Sequence, residues 1–160
     1  MSPIGSAQAP TRLLLVEDYF MVAEIYRSLL DELGYEVVGP APSVEAALAL
    51  LEEQEVDGAV LDVTLQGQPV TPVAKRLAEL QLPFIFLTAL MNLEFLPAHL
   101  CEAITVQKPA TAGELEDALR RSGLEASGRY VPEGESVRKG SADRSPVSPE
   151  GIDPRSPAMR

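Results

Sequence analysis

The sequence predicts an α/β domain built on a five-stranded, doubly wound parallel sheet with helices on both faces. Two observations predict it. From Arg12 to Ser122, short apolar runs alternate with stretches of helical periodicity, the pattern of repeated strand–helix units. Four of those runs also end in a reactive or polar residue: Glu17-Asp18 after Leu13–Val16, Asp62 after Ala59–Leu61, Thr88 after Phe84–Leu87, and Lys108 after Ile104–Val106. In such a sheet the carboxyl ends of the strands share one edge, where ligands bind at the topological switch point, so all four ends are expected in one pocket.

Each element has its own justification. Arg12 to Val16 reads as a buried strand. Tyr19 to Leu33 carries Val22, Ile25, Tyr26, Leu29, Leu30 and Leu33 at helical spacing, and Gly34 follows as a stop. Tyr35 to Val38 is the second strand, ended by Gly39-Pro40. Ser43 is placed to cap a helix from Val44 to Gln54 whose Ala46, Ala47, Leu50 and Leu51 face inward. Gly58 to Leu61 is the third strand. A loop with Gly67 and Pro69 leads to a helix starting at Thr71, with Pro72 at an early position where its missing N–H costs nothing.

Pro83 opens the fourth strand. Between Ala89 and Ala103 the periodicity is poor and Pro97 interrupts it, so the fourth helix is predicted to be short and its stretch mobile. Ile104 to Val106 is the fifth strand. Thr111 to Ser122 is the last helix, with Thr111 and Glu114 spaced as a capping box. From Ala126 onward, 15 of 35 residues are Pro, Ser or Gly, too little apolar surface to offset the entropy of ordering. The expected organisation is a flexible lead over residues 1–11, one domain over 12–123 and a disordered tail over 124–160.

Composition narrows the function classes. A length of 160 residues suits one domain with spare chain. No apolar stretch approaches the roughly 18 residues of a membrane span, and residues 1–12 lack an apolar signal core, so a cytoplasmic protein with no membrane segment is expected. The single cysteine, Cys101, can form neither an internal disulfide nor a thiolate metal cluster, and reads as a small buried apolar residue. Residues 1–125 hold 19 acids and 7 bases, while 126–160 hold 5 acids and 6 bases. An acidic domain repels phosphate backbones, whose binding needs Lys and Arg, and no nucleic-acid partner is expected.

Val16-Glu17-Asp18, Leu61-Asp62-Val63, Phe86-Leu87-Thr88-Ala89 and Gln107-Lys108-Pro109, in that order and at successive strand ends, resemble the signature of response-regulator receiver domains over residues 12–123. Each motif alone is common; four in register are not. The resemblance implies a flavodoxin-like receiver fold acting in two-component or phosphorelay signalling. It makes Asp62 the phosphoacceptor that carries an aspartyl phosphate. It has Asp18 and Asp62 bind Mg2+ directly, Glu17 directly or through water, and the backbone carbonyl of Thr64 complete the protein's share. Thr88 would reach the phosphoryl group with its hydroxyl and draw its loop inward, Lys108 would pair with a phosphoryl oxygen, and a cis Lys108-Pro109 bond would aim the lysine.

The chemistry of those side chains agrees. Three carboxylates in one crevice repel each other, and burial without partners would neutralise some of them. Hard oxygen ligands suit Mg2+, which also accepts phosphoryl oxygens. With Lys108 as a second positive charge, a carboxylate can act as nucleophile toward a phosphoryl group while the cations stabilise its transferring oxygens. Taken singly, the plainer readings are an N-cap for Asp18, a surface carboxylate for Glu17, a strand-end polar residue for Thr88, a solvated Lys108 and a trans Pro109.

The pattern departs from most receivers at Thr105, where a Tyr or Phe three residues before the lysine usually changes position on phosphorylation. Phe86 to Met91 partly matches a subgroup of stand-alone receivers with Phe-x-Thr-Gly-x-Tyr and a shortened fourth helix, with Met91 in place of the tyrosine. The segment Ala89–Ala103 is therefore the expected switch, with Met91 and Phe95 as packing candidates. His99, the only histidine, reads as a surface or partly buried structural residue. A phosphatase of the haloacid dehalogenase type is an alternative, but Thr64 stands where its general acid would be; a degenerate receiver used only for docking is another. No output domain is visible after Gly123 and no separate substrate turnover is expected, so the expected partners are a histidine kinase or histidine phosphotransfer protein and a downstream protein target.

Overall fold

The chain runs β1 (Arg12–Val16), α1 (Phe20–Glu32), β2 (Glu36–Ala41), α2 (Val44–Glu53), β3 (Gly58–Leu61), β4 (Thr64–Leu65), β5 (Gln68–Pro69), α3 (Thr71–Glu79), β6 (Phe84–Thr88), β7 (Thr105–Gln107) and α4 (Ala112–Arg121). The structure, a computed structural model, describes residues 9–90 and 92–126. Five strands form one parallel sheet in the order β2-β1-β3-β6-β7. This is the doubly wound five-stranded arrangement that the alternation of runs predicts.

Strand pleating sends successive residues to opposite faces. Leu14, Val16, Ala59, Leu61 and Phe86 pack with Val44, Ala47, Val73, Ala74 and Leu77 of α2 and α3. Leu13, Leu15, Val60, Ile85 and Leu87 pack on the other face with Tyr26 and Leu30 of α1 and Leu115 and Leu119 of α4. The central runs are apolar throughout because both faces are covered. Caps hold two helices in register: Ser43 Oγ accepts from Ala46 N–H at 3.1 Å, and Thr111 with Glu114 forms the reciprocal capping box.

Four local expectations change. β2 does not end at Gly39-Pro40 but continues through it to Ala41. The pairing slips between Leu14 and Val16, which face Val38 and Ala41, so one extra residue is accommodated as a bulge. Gly39 has φ +104, and a Cβ there would lie 2.8 Å from Ala41 N and 3.0 Å from Leu15 O. The edge position of β2 tolerates Pro40, which has no N–H to give.

The loop containing Gly67 and Pro69 contains a hairpin, β4–β5, closed by Gln66 and Gly67 at φ 53 and 82. Between Thr88 and β7, the only helical turn among the described residues is a 3-10 turn at Ala98–Leu100. Leu93, Leu96 and Leu100 of that stretch pack on the α2–α3 face of the core. Cys101 is exposed, not buried; its Sγ–H donates to the Leu93 carbonyl at 3.5 Å.

Leu124 and Glu125, placed in the tail by the expected boundary at residue 123, are held to the domain. Leu124 is 3% exposed, its carbonyl accepts from Tyr35 Oη–H at 2.7 Å, and the Glu125 carbonyl accepts from Thr11 Oγ1–H at 2.6 Å. Residues 1–8 of the expected lead over 1–11, and the remaining tail over 127–160, lie outside the described residues, while Thr11 is buried. No helix among the described residues is long and apolar enough to cross a membrane.

Candidate functional site

Four neighbouring strands deliver the predicted residues to one edge. Glu17 and Asp18 follow β1, Asp62 follows β3, Thr88 ends β6, and Lys108 follows β7. Their backbones are tied across the sheet: Glu17 N–H donates to Ala41 O at 3.0 Å, Asp62 N–H to Val16 O at 3.0 Å, and Lys108 N–H to Thr88 O at 2.9 Å. Because β1 lies between β2 and β3, the chain winds outward in opposite directions at this point, and a crevice opens above the strand ends.

The side chains converge there. Carboxylate oxygens of Glu17, Asp18 and Asp62 lie within 4.8 Å of one another. Lys108 Nζ donates to Asp62 Oδ2 at 3.0 Å and also to Glu17 Oε1. Each carboxylate is further held by a backbone amide. Val63 N–H donates to Asp62 Oδ1 at 2.8 Å, Tyr19 N–H to Glu17 Oε2 at 3.0 Å, and Gln66 N–H to Asp18 Oδ2 at 2.8 Å. Thr88 is buried, and its Oγ1 accepts from Leu90 N–H at 3.1 Å. The Lys108–Pro109 peptide is cis, and Ala110 N–H donates to the Tyr26 hydroxyl oxygen at 3.0 Å, tying the turn after Lys108 to α1.

Glu17 is not a surface carboxylate: it is only 4% exposed. Burial raises its pKa above the ordinary 4.5, outweighing the hydrogen bonds from Lys108 and Tyr19, and the charge of Asp62 pushes the same way. Burial alone would lower the Lys108 pKa, but its two carboxylate partners outweigh burial and raise it above 10.5. Three carboxylates against one ammonium leave a surplus of two negative charges. That surplus, on hard oxygen donors, fits a divalent ion such as Mg2+.

Thr64 stands two residues past Asp62. Val70 N–H donates to Val63 O, so the alternation of an antiparallel ladder places the Thr64–Pro69 pair at a rung that exchanges no hydrogen bonds. The Thr64 carbonyl is thereby left outside the ladder. Of the switch candidates, Phe95 is exposed, Thr105 is exposed with its hydroxyl donating to Ala103 O at 3.3 Å, and Met91 lies outside the described residues. Asp18 does not cap α1, whose N-cap is Tyr19.

Sequence reasoning missed the supports of the site: the amides of Tyr19, Val63, Gln66 and Leu90 and the hydroxyl of Tyr26. Only Gly67 carried a signal, as a residue suited to a turn.

The family described as response regulator receiver domain matches residues 13–120. The chain is 33% identical over 117 residues to a protein-glutamate methylesterase/protein-glutamine glutaminase of Trichodesmium erythraeum, covering 68% of this chain and 33% of that protein. It spans a third to a half of the length of the curated relatives it matches. Among solved structures, SdrG from Sphingomonas melonis Fr1 is 33% identical, with a TM-score of 0.65 covering 73% of this chain and 99% of that one. The response regulator TrrA from Thermotoga maritima, solved in complex with Mg2+ and a beryllium fluoride, is 25% identical, with a TM-score of 0.61 covering 69% and 97%.

Proposed function

This chain belongs to the response-regulator receiver domain family, and on that premise we propose that it accepts a phosphoryl group on Asp62 from a phosphohistidine donor and signals through protein partners. The observation that carries the reading is the convergence on Asp62. Its Oδ2 lies 3.0 Å from Lys108 Nζ, and its carboxylate shares one 4.8 Å cluster with Glu17 and Asp18.

An Asp62 carboxylate oxygen attacks the phosphorus of the donor as the phosphorus–nitrogen bond breaks. The imidazole leaves with the bond's electron pair and is protonated, and Asp62 carries an acyl phosphate. Glu17, Asp18, Asp62 and the Thr64 carbonyl would hold Mg2+, which supplies positive charge to the transferring oxygens. Lys108, at the end of β7 on the same edge, neutralises charge on the phosphoryl group. Thr88 keeps its own O–H to donate to a phosphoryl oxygen while Oγ1 still accepts from Leu90 N–H, so movement of Thr88 is transmitted to the segment that follows. Water attack on the acyl phosphate returns the free carboxylate and inorganic phosphate.

The phosphoryl source is a histidine kinase or a histidine phosphotransfer protein, working in the cytoplasm, and the downstream partner is a protein. The convergence of the four charged side chains weighs against a degenerate docking module. Thr64, which cannot serve as a general acid, weighs against a phosphatase. Incubation with acetyl phosphate or a cognate kinase and Mg2+ is expected to label the protein, and Asp62→Asn or EDTA to abolish labelling. Labelling that survives Asp62→Asn refutes the assignment.

A further inference from the structure

Asp18 sits in the turn before α1, where an Asp side chain ordinarily folds back to cap the helix. Here Tyr19 is the N-cap and makes no side-chain cap. The Asp18 carboxylate turns away and takes an amide from a segment 48 residues further along, Gln66 N–H at 2.8 Å. That amide belongs to a two-residue turn with φ 53 at Gln66 and 82 at Gly67. Positive φ at both positions is the type I′ geometry of tight hairpins, uncommon for a residue other than Gly, Asn or Asp.

The hairpin is mounted firmly at its foot. Val63 and Val70 are fully buried and joined by a 2.9 Å hydrogen bond, and Leu65 is buried with them. It also starts at the other carboxylate, since Val63 N–H donates to Asp62 Oδ1. One short element therefore grips Asp62 at its base and Asp18 at its tip, and sets the spacing of the two groups.

We propose that Gln66 is a positioning residue: its backbone N–H, aimed by the left-handed turn, fixes one oxygen of Asp18 and leaves the other to the divalent ion. This rests on the reading of Asp18 as an ion ligand. Partners of this kind behind a ligand govern metal affinity, typically by about 10- to 100-fold.

The test is calorimetric titration of Mg2+ into the full chain. Gln66→Gly keeps both the N–H and the positive φ, whereas Gln66→Val keeps the N–H but resists the turn. Gln66→Val is expected to bind Mg2+ about tenfold more weakly, with Gln66→Gly close to the parent. Parent-like affinity in Gln66→Val, or equal loss in both variants, overturns the assignment. Asp18→Asn separates the two levels: unchanged Mg2+ affinity there removes the ion reading itself. If Gln66→Val does not fold, the Gln66 amide resonance decides. It is expected to lose its downfield position in Asp18→Ala, which removes the acceptor, and an unmoved resonance there overturns the proposal.

Discussion

Lys108 Nζ and Asp62 Oδ2 are 46 residues apart in the chain and 3.0 Å apart in space. The same ammonium also serves Glu17, so one cation holds two carboxylates at the rim of the sheet. Lys108→Ala is expected to lower stability in EDTA by about 2 kcal/mol, below the range for fully buried pairs because the crevice opens to water. Labelling should slow by about two orders of magnitude. Urea unfolding and phosphorylation kinetics check the two halves separately, and labelling at the parent rate would remove Lys108 from the reaction.

The pKa shifts give a signed pH dependence. Burial raises Glu17 above its ordinary 4.5, so its contribution to stability is fully present below that value and is lost as pH rises toward the folded value. Glu17→Gln mimics the neutral form. In EDTA, the variant should gain on the parent as pH climbs from 4.5 toward neutrality. Lys108, raised above 10.5, contributes stability fully present below that pH and lost as pH rises through its folded value. Unfolding midpoints across pH test both signs; a parent that gains on Glu17→Gln in the acid window contradicts the first.

Divalent ion should act as a stabilising ligand. At a Mg2+ concentration 100 times its dissociation constant, the expected gain is about 2.7 kcal/mol. Asp18→Asn and Asp62→Asn should each remove most of it. Melting temperature against Mg2+ concentration is the measurement, and an equal rise in both variants would place the ion elsewhere.

Gly39→Ala is expected to cost about 1–3 kcal/mol, the range for a residue forced into a sparsely populated backbone region. Its φ is +104, and the new Cβ would meet Ala41 N and Leu15 O. The Ala41 carbonyl holds the Glu17 amide, so Mg2+ affinity should fall with stability. Denaturant unfolding with parallel titration checks the link.

Beryllofluoride, a phosphoryl mimic, should increase amide protection across residues 92–103, because Thr88 Oγ1 holds the Leu90 amide at the start of that segment. Thr88→Val is expected to abolish the change. Hydrogen exchange that is identical with and without the mimic would discard this segment as the switch.

Much of this site was legible along the chain because strand-end positions are local facts. An apolar run ending in Asp62 or Lys108 announces both its strand and its edge. The supports were not legible. Gln66 reaches Asp18 from a turn whose chemistry looks ordinary in sequence, and Tyr26 braces the segment after Lys108 from a helix position that periodicity marks only as inward-facing. Gly39-Pro40 looked like a stop because turn residues stop strands in isolation; at a sheet edge the same pair forms a bulge and the strand continues.

The sequence by itself determined the alternation of strands and helices, the two-sided burial of the central strands and the residue types at the sheet's carboxyl edge. All of these follow from periodicity and side-chain chemistry within a few neighbouring residues. Tertiary structure alone decided that Glu17 is buried, that one lysine serves two carboxylates, that a hairpin turn steadies Asp18 and that Leu124 closes onto the domain. The reason is physical: desolvation and ion pairing depend on which distant segments meet, and that is set by the packing of the whole sheet.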